Sequence, residues 1–329
     1  MIRVAMLSRW HVHANDYARQ ATANPSIEIS AVWDEDATRG QNWASELGVP
    51  FYSNLDNLLG QADIEAVIVN TPTNLHREVI VKSAKAGKHV FTEKVLAFTT
   101  ADCKEIFDAV DASKTKLMLS LPRLSDSVNI YAQQAIKEGL LGDITTVRCR
   151  VAHNGAVPTA ERPHGWLPDY FFDTKVTGGG AMMDLGAHPI YLTNRVAGPA
   201  KAVTARLLSY FGRGADDNSV VVVEYESGAF GIVESGFASG GSPFHLEVYG
   251  TEGSLLIEDD TVRIRSSRLG TNGWVTPQLP DRLPMPMEQW VAMINEGQEA
   301  MITRDDMYRL TQINEAALES NQRGIRVVL

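Results

Sequence analysis

The sequence Ile64-Glu65-Ala66-Val67-Ile68-Val69-Asn70 precedes a stretch with helical spacing, Leu75–Ala86, and then the short apolar run His89-Val90-Phe91-Thr92. Continuous apolar strands that are joined by helices of about ten residues or more are typical of parallel sheets with both faces covered. The stretch therefore predicts a strand, a crossover helix that ends at Gly87, and a neighbouring parallel strand.

The same alternation runs through the first third of the chain. Further predicted strands are Ile2–Leu7, Ile27–Trp33, Pro50–Tyr52 and Leu117–Leu121. Further predicted helices are Asn15–Ala23, Thr38–Leu47 and Thr100–Ser113, the last capped by Thr99 or Thr100. This pattern predicts a doubly wound α/β domain over residues 1–121 that binds a dinucleotide.

The pattern changes after about Pro122, where strand-like runs follow one another with turn residues between them. These runs are Thr145–Val151, Lys201–Leu208, Ser219–Glu226, Ala229–Ser235, Phe244–Gly250, Ser254–Glu258 and Thr261–Ser266. They predict an antiparallel sheet. We expect one helix between Gly180 and Val196 and another over Asp305–Arg323, so residues 122–329 form a second α/β domain.

Composition excludes some classes of function. The 329 residues carry a formal net charge of −10 without any run of Lys and Arg, which argues against a nucleic-acid partner. Two cysteines are too few for a disulfide framework, so we expect a reducing cytoplasm. The apolar N-terminal run is too short for a signal peptide or a membrane span.

The turn after the first strand contains Ser8, Arg9, Trp10, His11 and Val12. Backbone N–H groups at a helix N-terminus suit a pyrophosphate, so we expect these residues to contact a dinucleotide. The usual glycine fingerprint is absent, and an ordinary turn explains the segment equally well. Glycine would be unnecessary if the turn has ordinary dihedral angles.

Asp34 follows the second strand directly. A carboxylate there can accept hydrogen bonds from an adenosine ribose and repel a 2′-phosphate, so we expect NAD rather than NADP. A solvated loop acid is the alternative. Arg9 complicates the choice, because a guanidinium in the first turn could bind a 2′-phosphate. We interpret Asp36 as the cap of the following helix.

Two more segments end predicted parallel strands, where ligands of open sheets bind. Candidate cofactor contacts after the strand at 64–70 are Thr71, Pro72, Asn74 and His76, although Thr73 or Asn74 could simply cap the helix. Glu93 and Lys94 end the next strand and are also candidate cofactor contacts. An ammonium there can hydrogen-bond a substrate hydroxyl and stabilise charge on its oxygen.

Residues 178–188 read Gly-Gly-Gly-Ala-Met-Met-Asp-Leu-Gly-Ala-His. Asp184 and His188 are four residues apart and would share one helix face. His188 is suited to accept a hydroxyl proton, and Asp184 could orient it or hold the substrate. The alternative is a structural Asp–His pair. Three glycines are costly in a helix and argue for close approach by a ligand. No third ligand has metal-site spacing, so we expect no metal.

These motifs resemble the glucose-fructose oxidoreductase / inositol dehydrogenase / rhizopine-catabolism family over essentially the whole chain. The specific marks are Gly87–Lys94, Gly178–His188 and the end at Ser320–Leu329. The resemblance implies a Rossmann domain, a second domain with a large open antiparallel sheet that commonly packs in dimers or tetramers, NAD or NADP, and sugar or cyclitol substrates. It also implies that Lys94, Asp184 and His188 are the catalytic set.

Two departures from the family pattern affect the expected site. Family members usually have glycines where this chain has Ser8 and Trp10, and proline where it has Val95. A cis Lys94–Val95 bond would cost roughly 2.5–4 kcal/mol, and a trans bond would re-aim Lys94.

The expected reaction is hydride transfer between a polyhydroxy substrate and the nicotinamide, with His188 as base, Lys94 polarising the oxygen and Asp184 fixing the geometry. Candidate pocket residues are Arg123, His153, Asn154, Trp166 and Tyr170, and Arg123 is also a candidate cofactor contact. Two alternatives stay open: an NAD-dependent glycoside hydrolase of the same fold, and a non-catalytic sugar or dinucleotide sensor.

Overall fold

The computed structural model describes residues 1–270 and 272–329. The chain divides into two compact units, the first formed by residues 1–120 and 284–303 and the second by residues 121–283 and 304–329. The single boundary expected after residue 121 assigns residues 284–303 to the second domain. In the structure this segment instead belongs to the first unit, because its helix packs on the first sheet.

A six-stranded sheet forms the centre of the first unit. Its strands are β1 (Ile2–Leu7), β2 (Ile27–Trp33), β3 (Phe51–Tyr52), β4 (Ala66–Val69), β5 (His89–Thr92) and β6 (Leu117–Leu119). The spatial order is β3-β2-β1-β4-β5-β6, and all neighbours are parallel. This is the predicted doubly wound Rossmann sheet, and its strand order reverses between β1 and β4, where such sheets bind their ligands.

Five helices connect these strands: α1 (Ala14–Ala23), α2 (Ala37–Leu47), α3 (Leu55–Leu59), α4 (Thr73–Lys85) and α5 (Thr100–Ser113). Two of the longer helices have the N-terminal side-chain caps that the sequence predicts. Asp36 accepts the backbone N–H of Arg39 at the start of α2, and Thr99 accepts that of Asp102 at the start of α5. The apolar residues of β1 and β4 between these helices are almost entirely buried.

The second unit contains an eight-stranded sheet. Its strands are β7 (Ile144–Ala152), β8 (Ala200–Leu208), β9 (Asn218–Tyr225), β10 (Phe230–Gly236), β11 (His245–Gly250), β12 (Gly253–Glu258), β13 (Thr261–Ser266) and β14 (Val327–Val328). The order is β13-β12-β11-β7-β10-β9-β8-β14. The neighbouring strands pair antiparallel, as expected, except that β7 and β10 pair in parallel, so the sheet is mixed and mostly antiparallel.

The further α-helices of the described residues are, in chain order, α6 (Ser127–Lys137), α7 (Thr174–Thr177), α8 (Ala181–Asp184), α9 (Ala187–Ala197), α10 (Pro286–Asn295) and α11 (Arg304–Arg323). Helix α10 belongs to the first unit, where the buried ring of Trp290 lies 5.7 Å from that of Phe91 in β5. In the second unit α9 and α11 cover the sheet, and the Ser320 hydroxyl accepts the N–H of Ala205 in β8. The sequence analysis missed α10.

Candidate functional site

The turn between β1 and α1 is built around Ser8, which adopts a φ of 70°. This left-handed conformation is the one that glycine adopts most easily, so the turn does not have the ordinary dihedral angles that would make glycine unnecessary. In place of glycine, the turn has a serine whose side chain forms hydrogen bonds within it. Its hydroxyl accepts the N–H of Trp10 at 3.1 Å and donates to Glu35 Oε1 at 3.1 Å.

This arrangement predicts different costs for two substitutions of Ser8. Ser8→Ala keeps a side chain in the left-handed region and leaves the Trp10 N–H without its acceptor, which costs about 1–3 kcal/mol of unfolding free energy. Ser8→Gly loses the same bonds but relieves a left-handed penalty of about 1–2 kcal/mol. Urea unfolding, monitored by circular dichroism, should therefore give a higher free energy of unfolding for Ser8→Gly than for Ser8→Ala. The reverse order would contradict this account of the turn.

Most backbone N–H groups of the turn are already bonded within the protein. Ser8 donates to Trp33 O, Arg9 to the Asp34 carboxylate and His11 to Asn70 O at 3.2 Å. In the part of the chain that the structure describes, Val12 is the one residue of 8–14 whose N–H has no protein acceptor. In this conformation the N–H of His11, an expected phosphate donor, is bonded to the protein, and the N–H of Val12 is the donor that the turn leaves.

Asp34 is at the end of β2 as predicted, but its carboxylate serves the protein itself. Oδ2 accepts Arg9 N–H at 2.8 Å and Arg39 Nε at 2.9 Å, while Oδ1 accepts Asp36 N–H at 2.8 Å and Arg39 Nη2 at 2.6 Å. The side chain is fully buried. Four bonds occupy both oxygens, so in this conformation Asp34 does not offer the ribose an acceptor. Sequence reasoning missed Arg39, whose Nη2 also contacts Glu35.

The loop after β4 presents polar atoms without partners. Among the described residues, Asn70 Oδ1 and Thr71 Oγ1 are buried and have no hydrogen-bond partner. Both follow β4 at the point where the strand order reverses beside β1. Because buried polar atoms are rarely left unsatisfied, a polar ligand at this edge fits them well. Asn70 was not among the predicted contacts, although it ends an apolar strand at the expected place.

His76, which we expected to contact a cofactor, is almost fully buried in α4. Its Nδ1 lies 2.8 Å from Val95 O and its Nε2 lies 3.1 Å from Thr71 O. Burial lowers the pKa of this imidazole. The side chain therefore ties together the loops that follow β4 and β5. Pro72, also buried, precedes α4, and Asn74 lies exposed in the first turn of that helix.

Glu93 and Lys94 are buried at the carboxyl end of β5, with exposures of 1% and 5%. The hydroxyl of Tyr17 donates to Glu93 Oε2, and His13 Nδ1 lies 3.3 Å from the same oxygen. Burial alone would raise the pKa of Glu93, but electrostatic interactions with His11, His13 and Lys94 outweigh it and hold that pKa well below its usual range. The Lys94–Val95 peptide bond is cis.

Asp184 and His188 lie on two successive helices, the short α8 and the longer α9, rather than on the single helix that was expected. Gly186 N–H reaches back to Ala181 O, five residues earlier, and this wide turn interrupts the helix. His188 Nδ1 lies 2.8 Å from the hydroxyl of Tyr191, a fully buried residue. Tyr191 was missed by sequence reasoning, although its i+3 spacing from His188 indicates a neighbour on the same helix face.

The glycines before α8 have a structural explanation. A Cβ at Gly180 would lie 1.9 Å from Asp216 O, and Gly178 has a φ of 79°. The carboxylate of Asp216 accepts the N–H groups of Gly180 and Met182, each at 2.8 Å. The inference that these glycines serve approach by a ligand is therefore wrong for Gly180, because a neighbouring backbone occupies that space.

Some candidate pocket residues of the second unit belong to a cluster of packed aromatic rings. The His153 ring stacks on Phe237 with centroids 5.1 Å apart, and Trp166 lies 4.7 Å from His153. Trp166 is 43% exposed and its indole N–H donates to Asn154. Tyr170 is exposed to a similar degree. Arg123 stacks on a different ring, with its guanidinium carbon 4.5 Å from the centroid of Phe244.

Comparisons with known proteins agree with this architecture. The chain is 30% identical over 259 residues to a 1,5-anhydro-D-fructose reductase from Ensifer adhaerens, covering 76% of this chain and 75% of that relative. It is 25% identical to the scyllo-inositol 2-dehydrogenase (NAD(+)) of Bacillus subtilis, over all of this chain and 96% of the other. An oxidoreductase from Streptococcus pneumoniae aligns over only 37% of its own length.

Solved structures share the fold. The crystal structure of GenD2 from gentamicin A biosynthesis in complex with NAD has a TM-score of 0.84 and 25% identity, covering all of this chain and 96% of GenD2. Residues 7–121 match the family model described as oxidoreductase family, NAD-binding Rossmann fold, and residues 130–256 match the GFO/IDH/MocA C-terminal domain. The chain belongs to the GFO/IDH/MocA family of oxidoreductases, and its first unit is the family's NAD-binding domain.

Proposed function

We propose that this protein oxidises or reduces a CH–OH carbon of a sugar, cyclitol or related polyol with NAD. The observation that carries the proposal is the pair of unsatisfied buried atoms, Asn70 Oδ1 and Thr71 Oγ1, beside the strand-order reversal of a domain that belongs to an NAD-binding family. A polar ligand at this edge would satisfy both atoms, and a dinucleotide supplies ribose hydroxyls and phosphates for that purpose.

The residues proposed to hold NAD differ in the groups that they offer. Val12 offers its N–H to a phosphate at the start of α1, and Asn70 and Thr71 offer side-chain oxygens. At the end of β2, the carboxylates of Asp34 and Glu35 outnumber the single guanidinium of Arg39, which favours a ribose hydroxyl over a 2′-phosphate. When bound, NAD supplies the hydride acceptor or donor.

The proposed catalytic residues work on the substrate oxygen. Lys94 donates a hydrogen bond to that oxygen and stabilises its developing negative charge. His188 accepts the hydroxyl proton at Nε2 during oxidation, which requires its Nδ1–H to donate to the Tyr191 oxygen 2.8 Å away. Asp184 holds a neighbouring substrate hydroxyl or orients His188. Together these roles make a hydroxyl-bearing carbon the centre of reaction.

A cofactor and substrate screen tests the proposed function. Purified protein is mixed with polyols, inositols, aldoses or anhydro sugars and with NAD or NADP, and the absorbance of the reduced cofactor is followed. We expect turnover of at least one polyhydroxy compound, faster with NAD than with NADP. Tightly retained NAD with glycoside cleavage and no net reduction would instead support the glycoside hydrolase alternative.

We propose that the protein forms a homodimer or homotetramer through one face of the eight-stranded sheet. Exposed apolar side chains alternate with buried ones along β9 and β10, with Val220 at 44%, Val222 at 37% and Phe230 at 53% exposure. An apolar face of this kind is typical of an interface between protein chains. Light scattering should give a mass above one chain, and Phe230→Glu should lower it. A monomeric parent protein would contradict the proposal.

We also propose that the protein works in the cytoplasm. Its two thiols, Cys103 and Cys149, are buried in different units, as suits a reducing compartment. None of the helices in the described ranges meets the length and hydropathy needed to cross a bilayer.

A further inference from the structure

Three potential ligand side chains meet beside the first turn, and we call them the His-His-Glu cluster: His11, His13 and Glu93. One ligand atom from each lies within 4.8 Å of the other two. Glu93 Oε2 is 3.3 Å from His13 Nδ1 and 3.9 Å from His11 Nδ1. We propose that the cluster binds one divalent transition-metal ion of the chemical class of Zn²⁺.

The geometry and the donor atoms suit that class of ion. Zinc bonds to imidazole nitrogen or carboxylate oxygen are about 2.0–2.2 Å long and tetrahedrally arranged, which separates neighbouring ligand atoms by roughly 3.3–3.5 Å. The His13–Glu93 distance already has this value, and the His11–Glu93 distance needs a contraction of a few tenths of an ångström. The ligand nitrogens of His11 and His13 lie within 4.8 Å of each other and must close to the same separation when the ion binds. Two histidines and one glutamate are a known zinc ligand set that leaves the fourth position to water.

The surroundings orient two of the ligands. His11 Nδ1 accepts the N–H of His13 at 3.2 Å, so this nitrogen carries its lone pair rather than a proton. A bound ion would take the place of the His13 N–H as the partner of His11 Nδ1. Tyr17 donates its hydroxyl to Glu93 Oε2 from the buried side, as outer partners of metal-binding carboxylates do. The cluster is therefore partly organised before any ion arrives.

Access and charge also permit binding. Glu93 is 1% exposed and His11 is 7% exposed, whereas His13 is 44% exposed and opens the cluster to solvent. The carboxylate of Glu93 supplies one negative charge, while the neighbouring ammonium of Lys94 opposes a cation and limits its affinity. The proposal rests on the cluster alone and does not require that NAD binds.

Cobalt spectroscopy tests the site directly. Untagged protein, stripped of metal and nucleotide, is titrated with CoCl₂ while the visible spectrum is recorded. We expect one equivalent to produce the intense bands of a four-coordinate ion, and ZnCl₂ to remove them. His13→Asn and Glu93→Gln should abolish the bands, and Tyr17→Phe should weaken affinity about 10–100-fold.

A matched control separates this site from histidine–carboxylate pairs in general. His164 Nδ1 also lies 3.3 Å from a carboxylate oxygen, that of Asp169, but outside the cluster. His164→Asn should leave the cobalt bands unchanged. If Glu93→Gln does not fold, the cobalt titration of His13→Asn tests the proposal by itself, since the His13 side chain is partly exposed. No bands in the parent protein, or equal bands in His13→Asn, would overturn the proposal.

Discussion

Lys94→Met should lower turnover on the best substrate by about 10²–10³-fold while leaving NAD binding nearly unchanged. The loss follows from removing one donor that stabilises developing charge on the substrate oxygen. Methionine keeps most of the length and apolar contacts of the lysine stem, so the change tests the ammonium rather than the packing of a residue that is only 5% exposed. The measurements are steady-state kinetics and calorimetric titration with NAD.

Lys85→Met provides the matched control, because it removes the same charge from an exposed position at the end of α4. We expect it to keep full turnover. If Lys94→Met were as active as Lys85→Met, Lys94 would not act on the substrate. A fall in activity that is fully explained by lost NAD affinity would assign Lys94 to the cofactor instead.

His188→Asn should reduce turnover by about 10²–10⁴-fold and remove the pH dependence that the base imposes on the oxidation. The asparagine retains a polar group of similar length but cannot accept the proton near neutral pH. Tyr191→Phe removes the hydroxyl 2.8 Å from Nδ1 and should shift the pH–rate profile with a smaller loss of rate. The pH–rate profiles of the three proteins provide the comparison.

His245→Asn is the control for this pair, since His245 contacts Glu258 on the second sheet and has no proposed role in the reaction. Its profile should match that of the parent protein. A parent-like profile in His188→Asn would remove His188 from the role of base. A normal profile in Tyr191→Phe would show that this hydroxyl does not position the imidazole.

The fold was largely predictable because its signals are local. Apolar runs such as Ile64–Asn70 and the helix after them specify strands and a crossover without knowledge of distant residues. The parallel pairing of β7 with β10 could not be predicted, because it joins strands that are about 80 residues apart. Helix α10 was missed for a related reason: its packing on β5 depends on a segment that returns to the first unit.

The candidate site was predicted less well, because its partners come from different parts of the chain. The position of Asp34 at the end of a strand could be predicted from the sequence, but its four hydrogen bonds depend on the folded turn and on Arg39. The substitution of glycine by Ser8 was visible, whereas its φ of 70° and its bond to Glu35 were not. The position of His76 after β4 was visible in the sequence, whereas its contacts with the two loops that follow β4 and β5 were not.

Calorimetric titration of cofactor-stripped protein with NAD and NADH tests whether the first unit binds a nicotinamide dinucleotide through a turn without its usual glycines. We expect saturable binding that weakens when the unsatisfied oxygens are removed in Asn70→Ala or Thr71→Val. Circular dichroism of each protein shows whether the fold is intact. The absence of binding of NAD(H) and NADP(H) to a folded protein would contradict the claim and favour the sensor.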